Sequence, residues 1–147
     1  VHARTKAEGY TPPAFWDQLQ PIRDALSINV IANGEIWNNA DAKQCRLESG
    51  CDDLMIGRAA VTTPDITQCI RQNTDQPLLT WDELLSLQVR FLNGPYKKEI
   101  NMVGRYKQWI GMMSKHYPQA KVLWDDIKRL KKLDEIIEKL NLPHEIL

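Results

Sequence analysis

The sequence predicts an α/β fold, namely the C-terminal portion of a (β/α)8 TIM barrel followed by an all-helical domain. Three observations predict it. Residues 28–32 and 53–56 are short apolar runs that read as buried strands. Each leads into a glycine followed by a charged residue, Gly34-Glu35 and Gly57-Arg58, and between the two runs lies room for one helix and little more. That order of elements implies parallel pairing with right-handed crossovers. After Arg58 the character changes, and apolar residues recur at helical spacing to the end of the chain. In barrels of this kind the loops after strands seven and eight commonly hold a phosphate. The glycine pair therefore points to a phosphate-bearing cofactor.

Each element has its own local reason. Residues 1–5 read as a strand end, and residues 6–14, with Gly9, Tyr10, Pro12 and Pro13, as an exposed loop. Phe15, Leu19, Ile22 and Leu26 are spaced for a helix, with Pro21 in its first turn and regular helix from about Gln20. The next helix spans residues 40–49, with Asn39 as N-cap and Gly50 where a C-cap glycine belongs. Thr63 as cap and Pro64 at the first helical position predict a further helix, and residues 71–77 read as a polar linker. Thr80 and Glu83 fit a capping box. The helix that follows runs to about Leu92 and is stopped by Asn93-Gly94-Pro95. A long helix over residues 96–116 carries Met102, Tyr106, Trp109 and Met113 down one side. Helices over 119–131 and 133–140 complete the chain, and their short loops favour an antiparallel bundle. The expected division is 1–73 for the barrel part and 74–147 for the helical domain.

The chain has 147 residues, 43% apolar and 26% charged, a composition typical of soluble globular proteins. A complete (β/α)8 barrel typically needs about 250 residues. The chain starts without an initiator Met, in the middle of an apparent strand, and is expected to be a fragment or a processed product. No apolar run approaches the ~20 residues of a membrane span, and the start is not a signal peptide. Net charge is zero but uneven: residues 1–94 hold 8 basic and 12 acidic side chains, residues 95–132 hold 10 and 3, and the tail 1 and 4. A basic block of that size suits nucleic acid or is a solvated helix face. Cys45, Cys51 and Cys69 have no metal-like spacing, which fits reduced thiols in a cytoplasmic protein. His2, His116 and His144 are scattered, so no metal site is expected.

The candidate chemistry sits at the strand ends. Glycine at positions 34 and 57 gives a phosphate bare N–H groups and close approach, and Arg58 adds a bidentate charged contact. The alternative is that both glycines only make tight turns. His2, Arg4 and Lys6 alternate along an extended segment and so share a face near a strand end. Glu35 either accepts hydrogen bonds from a ring or ribityl group or caps the next helix. The tryptophans, Trp37 and Trp109 among them, read as core. Arg105, Lys107, Lys128 and Arg129 are the candidate phosphate contacts of the helical half. Arg105 and Lys107 lie ~200° apart on a straight helix, so they cannot share one narrow face. Either that helix meets its ligand edge-on, or one of the two does a structural job.

Four runs carry a family resemblance: Val1-His2-Ala3-Arg4-Thr5-Lys6, Val30-Ile31-Ala32-Asn33-Gly34-Glu35-Ile36-Trp37, Gly50-Cys51-Asp52-Asp53-Leu54-Met55-Ile56-Gly57-Arg58-Ala59-Ala60 and Arg105-Tyr106-Lys107-Gln108-Trp109. Over essentially the whole chain they resemble the C-terminal half of bacterial tRNA-dihydrouridine synthases, the C type most. The resemblance implies a (β/α)8 barrel with a helical tRNA-binding domain. It also implies an FMN-dependent, NADPH-fed oxidoreductase that reduces a D-loop uridine of tRNA. Asn33, Gly34 and Glu35 would contact FMN, Gly57 and Arg58 would hold its phosphate, and His2 would lie beside the flavin and the target base. Arg105, Lys107 and Lys128 would contact tRNA. Ala59 stands where many members have glycine. The family's proton-donating cysteine and a flavin-binding lysine lie upstream of Val1 in the family pattern, and none of Cys45, Cys51 and Cys69 matches the donor. The expectation is a chain that is catalytically silent without its N-terminal barrel part. Missing strands would leave an open sheet edge, met by a partner fragment, strand exchange or rearrangement.

Two other readings stand beside this one. The chain could be an RNA-binding helical module with a vestigial barrel end and no catalysis, or part of another phosphate-binding barrel enzyme.

Overall fold

A computed structural model describes residues 1–9, 11–94 and 99–140. The chain forms two compact units, one of Val1–Ala60 with Pro64–Leu78 and the other of Val61–Thr63 with Leu79–Leu147.

The first unit is a small parallel sheet with helices. Strand β1 (Ala32–Asn33) pairs in parallel with β2 (Leu54–Met55). A parallel bridge from His2 to Asn33 adds the start of the chain as a third extended segment. The regular strands are shorter than the apolar runs that predicted them. Val30 and Ala32 are buried, but Ile28 is 70% exposed and Met55 62% exposed. An apolar run predicts burial on both faces only where both faces are covered, and here they are not.

A 3₁₀ turn (Trp16–Gln18) leads into α1 (Leu19–Asp24). Pro21 sits in the first turn, where its missing N–H leaves no bond unmade. Helix α2 (Asn39–Ser49) is capped by Asn38, whose side chain accepts from the Asp41 N–H. The expected cap, Asn39, is one residue too late: it is buried and its side-chain amide donates to Asn73 at 3.1 Å. Gly50 takes the left-handed C-cap at φ 65°. Arg23 would also clash with a Cβ there, its Nη2 lying 2.7 Å from that position. The core gathers Ala3, Leu19, Val30, Ala32, Ile36, Ala42, Cys45 and Cys51.

Two expectations fail after β2. A short helix, α3 (Arg58–Thr62), begins directly at Arg58, and α4 (Ile66–Arg71) starts two residues later than Pro64 predicts. Asp65 explains the shift, because its carboxylate takes the Leu78 N–H at 2.5 Å and so ties a later loop to the helix start. Residues 71–77 are likewise no free linker. Asp75 accepts from the Ala40 N–H at 3.1 Å, and Cys69 lies 3.4 Å from the Gln76 carbonyl. These bonds hold residues 74–78 in the first unit, whereas the sequence draws the division after residue 73.

The second unit is helical. The Thr80–Glu83 capping box forms as predicted and starts α5 (Trp81–Leu92). Helices α6 (Glu99–Met113), α7 (Pro118–Ile127) and α8 (Leu133–Lys139) pack on one another. The beginning of the predicted 96–116 helix and Pro95 of its stop signal lie outside the described residues. Helix α7 ends at Ile127, short of the expected residue 131, and the chain then turns. Met102, Tyr106 and Met113 are buried as their spacing requires. Trp109 packs edge-on to Phe91 and Tyr106, at 5.4 and 6.4 Å. Buried Tyr106 donates its hydroxyl to Gln88 at 2.6 Å, so the polar end of a core ring is satisfied. Among the described residues no helix is long and apolar enough to cross a membrane.

Thr80→Ala removes the hydroxyl that accepts from the Glu83 N–H and leaves the backbone half of the capping box in place. It is expected to lower the stability of the helical unit by about 1 kcal/mol, read as a lower urea midpoint with an unchanged m-value.

Candidate functional site

The site is built where the two strands end. Ala32 lies opposite Leu54 and Asn33 opposite Met55. The chain therefore leaves β1 at Gly34 and β2 towards Gly57 on the same side of the sheet. The bridge between His2 and Asn33 brings the first segment to the same place. There an open cavity of about 350 Å³ is lined by His2, Asn33, Gly34, Glu35, Gly57 and Arg58, together with Ile36, Trp37, Met55 and Ala59. All six residues expected at a cofactor site from the sequence line one opening. Among the described residues no group of three His, Cys, Asp or Glu side chains is placed to hold a metal.

The two glycines have different reasons. Gly34 has φ 129°, a conformation that strains any L side chain. Its carbonyl accepts from Trp16 Nε1 at 2.7 Å, which fixes the turn. Gly57 has no such backbone requirement, and a Cβ there would meet nothing within 4 Å. Its side opens onto the cavity, so the fold needs glycine at 34 but not at 57. Asn33 is partly committed already, since its side-chain nitrogen donates to the Met55 carbonyl at 2.5 Å and cross-links the strand ends.

Glu35 is the hub. It holds a left-handed backbone, φ 52°, which is uncommon for a residue with a Cβ. Arg4 and Arg58 both donate through Nη2 to its Oε1, Arg58 at 2.6 Å, and Trp37 Nε1 donates to Oε2 at 2.8 Å. The Arg58 guanidinium also lies 5.0 Å from the centre of the Trp37 ring, within cation–π range. Burial pushes the Glu35 carboxyl up, but hydrogen bonds from Trp37 and Arg4 and the Arg58 charge outweigh it and hold it below the usual value. Glu35 does not cap the next helix, which Asn38 does.

Sequence reasoning underrated Arg4 and Trp37. His2 is exposed and lines the cavity, and Lys6 is exposed. Arg4, expected to share their face at the strand end, is instead buried against Glu35. Trp37, read as core, is a half-buried wall of the cavity. The one sequence signal for this cluster is that four residues of opposite charge or indole character fall at strand ends, and spacing alone does not pair them.

A model of the dihydrouridine synthase (Dus) family matches residues 1–142. The chain belongs to this family. A tRNA-dihydrouridine(16) synthase of Shewanella oneidensis is 38% identical over 95% of this chain and 44% of its own length. Proteins of the same name from Neisseria meningitidis serogroup A and Ralstonia nicotianae are 40% and 42% identical, over 99% and 93% of this chain and 46% and 43% of their own. The chain thus spans less than half the length of these dihydrouridine synthase relatives.

The basic residues singled out in the helical unit sit in different surroundings. Arg105 is exposed on α6. Lys107 is half-buried and donates to the Leu130 carbonyl at 3.1 Å, just past the end of α7. Lys128 pairs with Asp125 at 2.6 Å. Hydrogen bonds from Lys121 and Lys128 hold the Asp125 carboxyl down at about 2. Cys45, Cys51 and Cys69 are all buried free thiols. Burial pushes the Cys45 thiol up to about 11 and that of Cys69 above its usual value.

Two outcomes are expected from this geometry. Gly34→Ala lowers thermal stability by about 1–3 kcal/mol, while Gly57→Ala stays within about 0.5 kcal/mol, as read by thermal melting. Because folding lowers the Glu35 pKa, its contribution is present above the ordinary glutamate range. It is lost as pH falls through the folded value, so an acid titration of Trp37 fluorescence should show that loss and Glu35→Gln should abolish it.

Proposed function

We propose that the chain is the C-terminal part of a cytoplasmic, FMN-dependent tRNA-dihydrouridine synthase that reduces a D-loop uridine of tRNA with NADPH. The relatives' names point to uridine 16. In this reading the first unit is the last part of a (β/α)8 barrel and the second a tRNA-binding domain. The observation that carries it is the convergence of His2, Asn33, Gly34, Glu35, Gly57 and Arg58 on one cavity.

The residues present fit FMN. Gly57 offers backbone with open space beside it, and Arg58 brings a half-exposed guanidinium to the same wall. Helix α3 has only five residues, so its dipole adds little and the guanidinium is the main attraction for a phosphate. Glu35 and Trp37 form the polar and aromatic wall, and His2 stands at the mouth beside the target base. Bound and reduced, FMN supplies the hydride for the uracil ring.

Arg105, Lys107 and Lys128 contact tRNA phosphates. The Lys107 ammonium has three donors, so one on the Leu130 carbonyl leaves others for a phosphate while it braces the end of α7. The reaction also needs a proton donor. The three cysteines here are buried, and two have raised thiol pKa values, so this chain does not turn over without the rest of its barrel. Exposed Ile28, Ile31 and Met55 are the surface that the missing part covers.

Joining this chain to the N-terminal half of one of its relatives should give a yellow protein that forms dihydrouridine in tRNA with NADPH. The chain alone should form none, and Arg58→Gln in the joined protein should lower flavin retention. A joined, folded protein that is colourless and leaves uridine intact would overturn the assignment. The chain alone should bind tRNA, with log affinity falling linearly with log salt. Arg105→Ala should weaken that binding and flatten the slope.

A further inference from the structure

Two guanidiniums share one carboxylate oxygen at the cavity, and they are not equivalent. The side chain of Arg4 is 0% exposed and that of Arg58 is 45% exposed. A buried guanidinium cannot leave its carboxylate without stranding a charge in low dielectric. An exposed one exchanges a carboxylate for water or another anion at little cost. Arg4 is held more firmly still, because its Nε and Nη1 are buried without a hydrogen-bond partner among the described residues. Its bond to Glu35 is the one it cannot give up.

We infer that Arg4 is a positioning residue: by neutralising Glu35 from the buried side it leaves Arg58 releasable, so that Arg58 can turn from Glu35 to an incoming phosphate monoester. The inference rests on reading the cavity as an anion site. Without Arg4, an anion would have to break the pair between Glu35 and its remaining guanidinium, and would then face an uncompensated carboxylate. With Arg4 in place the carboxylate stays paired whichever way Arg58 points. Trp37 supports the geometry from the other side, since its indole fixes Oε2 of the same carboxylate while its ring face gives Arg58 its resting place.

The test uses this 147-residue chain and inorganic sulfate, which keeps its charge through the acid range. The Trp37 indole N–H resonance, identified with Trp37→Phe, reports Arg58 leaving the ring. The carboxyl carbon of Glu35, identified with Glu35→Gln, reports the titration of that carboxylate alone. Saturating sulfate should shift the Trp37 resonance while the Glu35 midpoint stays below the ordinary glutamate value. In Arg4→Gln, sulfate affinity at neutral pH should fall about fivefold, and in Arg4→Gln with Glu35→Gln it should return to within about twofold of the unaltered chain. A merely structural role for Arg4 would give no such rescue. A Glu35 midpoint that rises to the ordinary value when sulfate binds overturns the inference, and so does undiminished sulfate affinity in a folded Arg4→Gln variant. The first of these readouts uses the unaltered chain and decides the matter even if Arg4→Gln does not fold. No Trp37 response to sulfate overturns the anion site and the inference with it. A Trp37 response with a risen Glu35 midpoint keeps the anion site and removes Arg4 from it.

Discussion

The pairing of Glu35 with buried Arg4 is the interaction on which the site depends. Gly34 and Glu35 both have positive φ, 129° and 52°, and this reversal turns the Glu35 side chain back over the sheet towards Arg4. Arg4 would otherwise be a buried charge without a carboxylate, a situation that typically costs about 3–5 kcal/mol. The strained turn and the buried arginine therefore compensate each other. Trp37 and Arg58 build onto the carboxylate so fixed, and together they make the wall of the cavity.

The two units obey different packing rules. The helical unit buries large residues on all its helices, such as Tyr106, Ile110, Met113, Ile127 and Ile136, each no more than 0% exposed. Its aromatic contacts and the Tyr106–Gln88 bond close the interior. The first unit has a core of mostly small side chains, and several of its large apolar residues face outward. A parallel sheet normally has both faces covered.

The basic helix shows how a geometric tension in a sequence is settled. Arg105 and Lys107 cannot share one narrow face. In the structure Lys107 reaches the carbonyl beyond the end of α7, and Arg105 stays exposed. An ammonium near a helix C-terminus meets both an orphan carbonyl and the negative end of the dipole. The positive charge of this unit thus partly serves its own packing.

Much was legible in the sequence because it is local. The capping box at Thr80 and Glu83, the C-cap at Gly50 and the buried stripe of α6 depend on neighbours within a few residues. The parallel pairing of the two strand ends is not local, but the order strand–helix–strand implies it, and the candidate residues at those ends line one opening. Tertiary structure alone decided the rest, because each case depends on a partner far along the chain. Asp65 reaches Leu78 and delays α4, and Asn39 leaves the cap to Asn38 because Asn73 takes its side chain. Arg4 finds Glu35 across 31 positions. Spacing records which residues share a face, whereas the pairing of buried charges is fixed only when folding excludes water and leaves each charge the partner within its reach.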